Sequence, residues 1–276
     1  MTINLKGKLM DLSSPKIMGI LNITPDSFYD GGKFNSDKKV LDQVEKMIKD
    51  GADLIDVGGY SSKPGANPVK LQEEIKRVVP VIELIKNKFS DTIISVDTFR
   101  SEVAKKAVDS GASIVNDISA GELDSDMFKC VAQLNVPYIL MHMKGNPQNM
   151  QDKPTYKNVV NEIVKNLSEK IFFAREAGIM DVIIDPGFGF GKTLEHNYEI
   201  LNNLSFFKKL DCPILVGISR KSMIYKLLDT KPENALNGTT CLHTVSVLSG
   251  ANILRVHDVK EAKEVVELTN FLKKTT

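Results

Sequence analysis

Eight short apolar runs punctuate the chain, each separated from the next by a longer stretch that keeps one apolar face. The runs are Ile17–Leu21, Leu54–Val57, Ile93–Val96, Ser113–Val115, Tyr138–Met141, Val182–Ile184, Ile214–Val216 and Asn252–Val256. Runs this short, rich in β-branched residues and without polar alternation, mark parallel strands covered on both faces. Between them, residues such as Leu71, Ile75, Val78, Val79, Ile82 and Ile85 recur at helical spacing. Pro80 lies inside that pattern and predicts a kink or a late helix start. Strands alternating with helices lead to a closed barrel or to a doubly wound open sheet. Eight units in 276 residues favour a (β/α)8 TIM barrel, which takes about 250 residues as one domain. Gly51-Ala52, Gly111-Ala112, Ala177-Gly178 and Gly250-Ala251 stand just before strands, where glycine suits a helix end that turns left-handed. No linker or composition break divides the chain, so residues 1–276 are expected to form a single domain.

The formal net charge of +1 argues against a general nucleic-acid or membrane-surface binder, since neither fits a near-neutral balance. No apolar run approaches the roughly 18 residues of a membrane span, and residues 1–10 lack the apolar stretch of a secretion signal. Cys130, Cys212 and Cys241 are far apart and form no metal-binding spacing. A cytoplasmic protein with small-molecule ligands is the expectation.

The informative residues are those where each apolar run gives way. In order these are Asn22, Asp56 with Gly58-Gly59, Asp97-Thr98, Asn116-Asp117, His142, Asp185-Pro186, Ser219-Arg220-Lys221, and Arg255 with His257. An aspartate after a strand is often only a turn or helix-capping residue. Polar groups at all eight strand ends are a different matter, because a barrel gathers these ends at its C-terminal mouth, where such folds keep their chemistry. Two loops, residues 23–35 and 58–68, combine glycine with proline and can present backbone N–H groups to phosphate oxygens. The segment Asp185-Pro-Gly-Phe-Gly-Phe-Gly-Lys192 has neither dinucleotide-binding nor P-loop spacing. His142, between two methionines, reads as a packing residue or a ligand contact, and His196 and His243 as structural or exposed helix residues.

Taken together, these segments resemble the dihydropteroate synthases, enzymes of folate synthesis. The resemblance rests on Met18-GILNITPDSFYDGG-Gly32, Gly58-GYSSKPGA-Ala66, Ser95-VDTFR-Arg100, Asn116-Asp117, Met141-HMKGNP-Pro147, Asp185-PGFGFGK-Lys192, Gly217-ISRKS-Ser222 and Arg255-VHDV-Val259, in family order over nearly the whole chain. It implies a transferase that joins (7,8-dihydropterin-6-yl)methyl diphosphate to p-aminobenzoate with Mg2+, releasing 7,8-dihydropteroate and diphosphate. A homodimer is also implied.

Matching positions imply residue roles. Asp97, Asn116, Asp185, Lys221 and Arg255 would bind the pterin. A carboxylate at Asp185 can accept from the ring N3–H and the 2-amino group together, and Lys221 can donate to the adjoining O4 and N5. Asn22, Ser62, Arg255 and His257 would bind diphosphate, with Asn22 the metal contact and Asp26 a possible further one. Phe28, Pro64, Phe190 and Ser222, together with Lys221, would surround p-aminobenzoate, so sulfonamides that imitate it should compete. Lys221, Arg255 and His257 would carry the catalysis. No base or nucleophile is needed: the arylamine is neutral at pH 7, and expelling diphosphate is the harder step. The electron-rich ring favours a dissociative displacement.

The second loop departs from the family pattern. Tyr60 stands where an acidic residue is usual, Ser62 where threonine is usual and Lys63 where arginine is usual. Ser62 keeps the hydroxyl, while Lys63 keeps the charge without the planar fork. The rival readings are a pterin-binding methyltransferase module and a pterin-binding protein without catalysis. The Arg255–His257 pair, the SRKS segment and the first loop count against the methyltransferase.

Overall fold

All eight apolar runs become strands. A computed structural model of the chain describes residues 1–23, 33–60, 68–145, 150 and 154–275, without the side chains of 33–35. The barrel strands are β3 (Lys16–Asn22), β4 (Leu54–Gly58), β5 (Ile93–Asp97), β6 (Ile114–Asp117), β7 (Tyr138–Met141), β8 (Val182–Asp185), β9 (Leu215–Val216) and β10 (Ile253–Val256). They form one parallel sheet in the order β8-β7-β6-β5-β4-β3-β10-β9. A parallel bridge between Ile184 and Ile214 joins its two edges. The closed barrel, and not the open sheet, is therefore the architecture.

The helices on the outside are α1 (Lys33–Lys49), α2 (Leu71–Lys88), α3 (Ser101–Asp109), α4 (Met127–Leu134), α5 (Val159–Glu176), α6 (Leu194–Asn202), α7 (Ser222–Tyr225), α8 (Leu236–Leu248) and α9 (Val259–Lys274). Their apolar stripes meet the outward residues of the strands in one cluster that includes Ile17, Val57, Val78, Ile82, Val96, Val115, Leu140, Ile184 and Val256. α2 runs unbroken through Pro80, so the expected late start does not occur. Gly51, Gly111, Gly178 and Gly250 all take positive φ at helix ends. The next residue's N–H reaches back to Met47, Ala107, Ala174 and Ser246 respectively, the pattern of a Schellman turn. The four glycine-containing pairs are thus a repeated device for turning from helix to strand.

An antiparallel hairpin that the apolar runs did not announce precedes the barrel: β1 (Thr2–Leu5) and β2 (Lys8–Asp11). Ile3, Leu5 and Leu12 pack against Met18, Leu54, Ile114, Ile139, Ile183, Leu215 and Ile253, the inward residues at the lower level of the strands. The hairpin closes the N-terminal end of the barrel with hydrocarbon. Side chains alternate along a strand, so the next inward level lies two residues further on. That level holds Ile20, Asp56, Ser95, Asn116, Met141, Asp185, Gly217 and Arg255. The barrel interior changes from apolar to polar within one pleat. Among the described residues no helix is long and apolar enough to cross a membrane.

Candidate active site

The polar level is organised around Arg255. Its Nε donates to Asp56 Oδ2 at 2.6 Å and its Nη2 to Asp97 Oδ2 at 2.7 Å. Asp56 Oδ2 also accepts from Asn116 Nδ2 at 3.0 Å. β10, β4, β5 and β6 thus each deliver one side chain to a single network. Burial pushes the Asp97 carboxyl up to about 7; the Arg255 guanidinium opposes that rise and the Asp56 charge adds to it. For Arg255, burial favours the neutral form, but Asp56 and Asp97 outweigh it and hold the guanidinium charged. Nη1 takes no part in these bonds, so one edge of the guanidinium is left to meet a ligand.

Across the mouth, Asp185 ends β8 and is 6% exposed. Its Oδ1 accepts the Gly187 N–H at 2.7 Å. Burial raises its pKa, while the Lys221 ammonium and the Gly187 N–H favour the carboxylate. Lys221 stands just before α7; its Nζ donates to Phe188 O at 2.5 Å and lies 4.7 Å from the Phe190 ring centre. Burial lowers Lys221 to about 8, with Asp185 pulling the other way. Gly217, on the inward face between these groups, leaves room: a Cβ there would sit 3.9 Å from Lys221 Nζ and 4.0 Å from Asp185 Oδ2.

Two of the three glycines in the segment after Asp185 are explained by backbone crowding. Gly187 and Gly191 have φ of +71 and +64, and a Cβ on either would overlap the carbonyl oxygen of His142 or Lys144. Lys192, 3% exposed, fastens the segment: its Nζ contacts His142 Nδ1 at 3.0 Å, His142 O at 3.3 Å and Phe190 O at 2.9 Å. Three acceptors match the three protons of an ammonium. Burial, reinforced by the Lys192 charge, lowers His142 to about 2 and keeps its ring neutral. His142 is therefore a structural acceptor that aligns the loop carrying Phe190.

The last two strand ends are tied together. Arg220, with φ of +53, forks onto Asp258 with Nε and Nη2 at 2.8 and 2.9 Å. Ser219 Oγ accepts the His257 backbone N–H at 3.2 Å and lies 3.1 Å from His257 Nδ1. An oxygen that accepts one of these can donate its proton to the other, which leaves the His257 Nε2–H as a donor toward the mouth. Crowding of the ring, then the charges of Arg255, Arg220 and Lys221, lower His257 to about 4. His257 is exposed to solvent at the rim, so the neighbouring cations, more than burial, favour its neutral, donating form.

The stems of the second loop are anchored by a buried cluster. Glu74, fully buried on α2, accepts from Thr98 Oγ1 at 2.6 Å and from Arg100 Nη1 at 2.6 Å. Arg100 Nη2 also donates to Val69 O at 2.8 Å, and its guanidinium lies 5.7 Å from the Tyr60 ring centre. Tyr60 meets Phe99 edge-on at 5.1 Å. Tyr60 therefore gives a cation something to rest on, in place of a charge to pair with.

Asp97, Asn116, Asp185, Lys221, Arg255 and His257 all end at this one mouth, with Phe190 beside Lys221 and Ser222 opening α7. Asn22 ends β3 at the rim, where its Oδ1 would lie 3.5 Å from a Cβ on Gly58. Phe28, Ser62 and Pro64, with Asp26 and Lys63, fall outside the described residues. Asp117, though beside Asn116 in sequence, points outward: it binds Ser119, Gly121 and Tyr138 and shapes a turn. His196 caps α6 by a reciprocal pair of bonds with Thr193, and His243 is buried on α8. Asp56 and Lys192 were the functional omissions. Asp56 stood among the strand-end residues but was given no role, and its inward register two positions after Leu54 was the available signal. Lys192 carried none, because its chief partner, His142, lies 50 residues away.

Comparison with known proteins follows this geometry closely. Residues 18–257 match the pattern of the pterin binding enzymes. Dihydropteroate synthase of Escherichia coli strain K12 is 45% identical over 269 residues, covering 96% of this chain and 95% of that protein. The crystal structure of Yersinia pestis dihydropteroate synthase with a sulfonamide drug superposes with a TM-score of 0.93 at 40% identity, covering 100% of both chains. The Xanthomonas albilineans dihydropteroate synthase in complex with 7,8-dihydropteroate gives a TM-score of 0.89 at 36% identity, covering 99% of each chain. The chain belongs to the pterin binding enzyme family and, within it, to the dihydropteroate synthases.

Proposed function

We propose that this mouth condenses (7,8-dihydropterin-6-yl)methyl diphosphate with p-aminobenzoate, forming 7,8-dihydropteroate and releasing diphosphate. The observation that carries the reading is that the Asp185 carboxylate and the Lys221 Nζ both flank Gly217 on one floor that also carries Asn116, Asp97 and Arg255. A pterin edge alternates donors and acceptors, and this floor offers acceptors at Asp185 and Asp97 with donors at Lys221. Arg255 can cover the ring face and reach the diphosphate with Nη1, and the neutral His257 can donate to the same leaving group. Phe190 beside Lys221, with Ser222, supplies part of a site for the arylamine.

Chemically, the C–O bond between the methylene and diphosphate breaks and the arylamine nitrogen forms the new C–N bond, losing one proton. Diphosphate leaves with the bonding pair, and the electron-rich ring shares the positive charge left on the methylene. Donors aimed at the leaving oxygens favour this dissociative course.

Mg2+ fits as a companion of the diphosphate more than as a resident of the protein. Among the described residues no three His, Cys, Asp or Glu side chains gather to hold a metal. Asn22 would hold it through its amide oxygen, with phosphate oxygens and water completing the coordination. Bound there, Mg2+ would neutralise charge on the leaving group.

A homodimer fits Val245 and Leu248 on α8 and Leu268, Phe271 and Leu272 on α9, all exposed on two helices that pack together. Three unpaired cysteines suit a reducing cytoplasm.

The test supplies the pterin diphosphate, p-aminobenzoate and Mg2+ and measures diphosphate release. Release dependent on all three supports the synthase. A pterin held tightly with no release identifies a binding protein and overturns it.

A further inference from the structure

Among the described residues two buried polar atoms on the floor have no partner: Asp56 Oδ1 and Ser95 Oγ. Both residues are fully buried, and they are paired in register across β4 and β5. Parallel neighbours in register point the same way, so the carboxylate and the hydroxyl share the inward face. Neither bonds the other. A buried carboxylate oxygen without a donor is costly, and proteins meet that need with an ordered water where two or more polar groups face one space. One water can donate to Asp56 Oδ1 and exchange a hydrogen bond with Ser95 Oγ.

The other oxygen of Asp56 does more than fill a bond. Oδ2 is shared by Arg255 Nε and Asn116 Nδ2. A rotation of Asp56 would therefore move the guanidinium and the amide together. Its lower neighbour on the same face, Leu54, is packed in the apolar plug and cannot orient it. A water fixed by Ser95 can.

We infer that Asp56 is the positioning residue of the site, setting Arg255 and Asn116 with one oxygen while a buried water shared with Ser95 holds the other. This inference rests on the pterin reading above. In it Asp56 touches no reacting atom. It acts on the ring through Asn116 and on the leaving group through Arg255. Its hydrogen bonds reach Arg255 and Asn116, and neither Phe190 nor Ser222.

Steady-state kinetics of Asp56→Asn test this. The substitution keeps the shape but removes the charge from two hydrogen bonds. KM for the pterin diphosphate should rise about 10- to 100-fold, the range for losing a charge-assisted bond, with KM for p-aminobenzoate unchanged. A structural role alone would lower the active fraction, and hence kcat, with both KM values intact; that result overturns the inference. In an Asn116→Ala background, Asp56→Asn should cost distinctly less than in the wild type, and full additivity also overturns it.

Ser95→Ala keeps the water testable should Asp56→Asn fail to fold. It should lower the melting temperature if Oγ holds a water, but leave it unchanged or raise it if the hydroxyl is truly unpaired. A high-resolution crystal structure should show one water within hydrogen-bonding distance of both atoms, and a dry gap overturns the inference. If the wild-type protein neither binds a pterin nor releases diphosphate, the functional reading fails. If it does both and Asp56→Asn matches it, only this inference fails.

Discussion

Gly187→Ala isolates the demand that one backbone contact places on the site. The residue has φ of +71, and an added Cβ would overlap the His142 carbonyl oxygen and stand 3.0 Å from its carbon. The methyl group has nowhere to go, because Lys192 holds His142 through its carbonyl oxygen and Nδ1, and its Nζ would itself stand 3.3 Å from the new Cβ. Left-handed backbone costs an L-residue about 1–2 kcal/mol. Moving the loop away also breaks the 2.7 Å bond from Gly187 N to Asp185, about 1.5–3 kcal/mol for a bond to a charged group. The sum, about 2.5–5 kcal/mol, can appear as lost stability or as a displaced Asp185. Thermal melting, paired with calorimetric titration of a pterin ligand, separates the two. Gly189→Ala is the control: φ is +80, but among the described residues its Cβ would meet only Lys221 Cδ at 3.4 Å. It should cost about 1–2 kcal/mol, the backbone term alone. Equal and small effects from the two substitutions would refute the argument from close approach.

Asp185→Asn should weaken pterin binding, whereas Arg255→Ala should chiefly reduce kcat; calorimetry with a pterin and diphosphate-release rates would distinguish them, and matching profiles would contradict the division of roles. Lys221, lowered to about 8 by burial against Asp185's opposing pull, should lose its proton as the pH rises through that value, so pterin affinity measured across pH 7–10 should decline. The free protein's stability should move the opposite way. The unfolded lysine, at its ordinary pKa of about 10.4, binds more protons than the folded one between about 8 and 10.4. Lys221's contribution to stability therefore rises with pH over that window. Lys192→Met removes the donor from three buried acceptors, while burial already drives that lysine's pKa well below its ordinary value, and should cost about 1–3 kcal/mol, read as a melting temperature lower by roughly 2–12 °C.

The strands were legible because a parallel strand buried on both faces can only be apolar, and each of the eight runs met that condition. The polar residues that end them could be recognised for the same reason: Asp185 and Asn116 interrupt hydrocarbon where solvation is lost. What local pattern could not carry was direction and distance. Asn116 and Asp117 are neighbours in sequence, yet one joins Arg255's network and the other caps a turn. Lys192 looks like the end of a glycine-rich phosphate loop but reaches back 50 residues to His142. In the β1–β2 hairpin only β1 alternates with period two, over four residues, and β2 does not alternate at all, so neither stood out before Leu12 and its plug partners were placed together. Pro80 obeyed context over propensity, since Val78, Val81, Ile82 and Ile85 bury the helix face on both sides of it.

The hairpin plug also makes the barrel a well, not a tunnel. Ile3, Leu5 and Leu12 stop its lower end, so everything that reaches Asp185 and Asn116 enters and departs through one opening. Traffic in a well is stacked by depth. On the proposed reading, a planar ring bound at the floor would have to arrive before whatever rests above it, and the conjugate would lift away only after the leaving group has cleared. A wall at the far end thereby imposes an order of arrival and departure without any residue that recognises sequence in time.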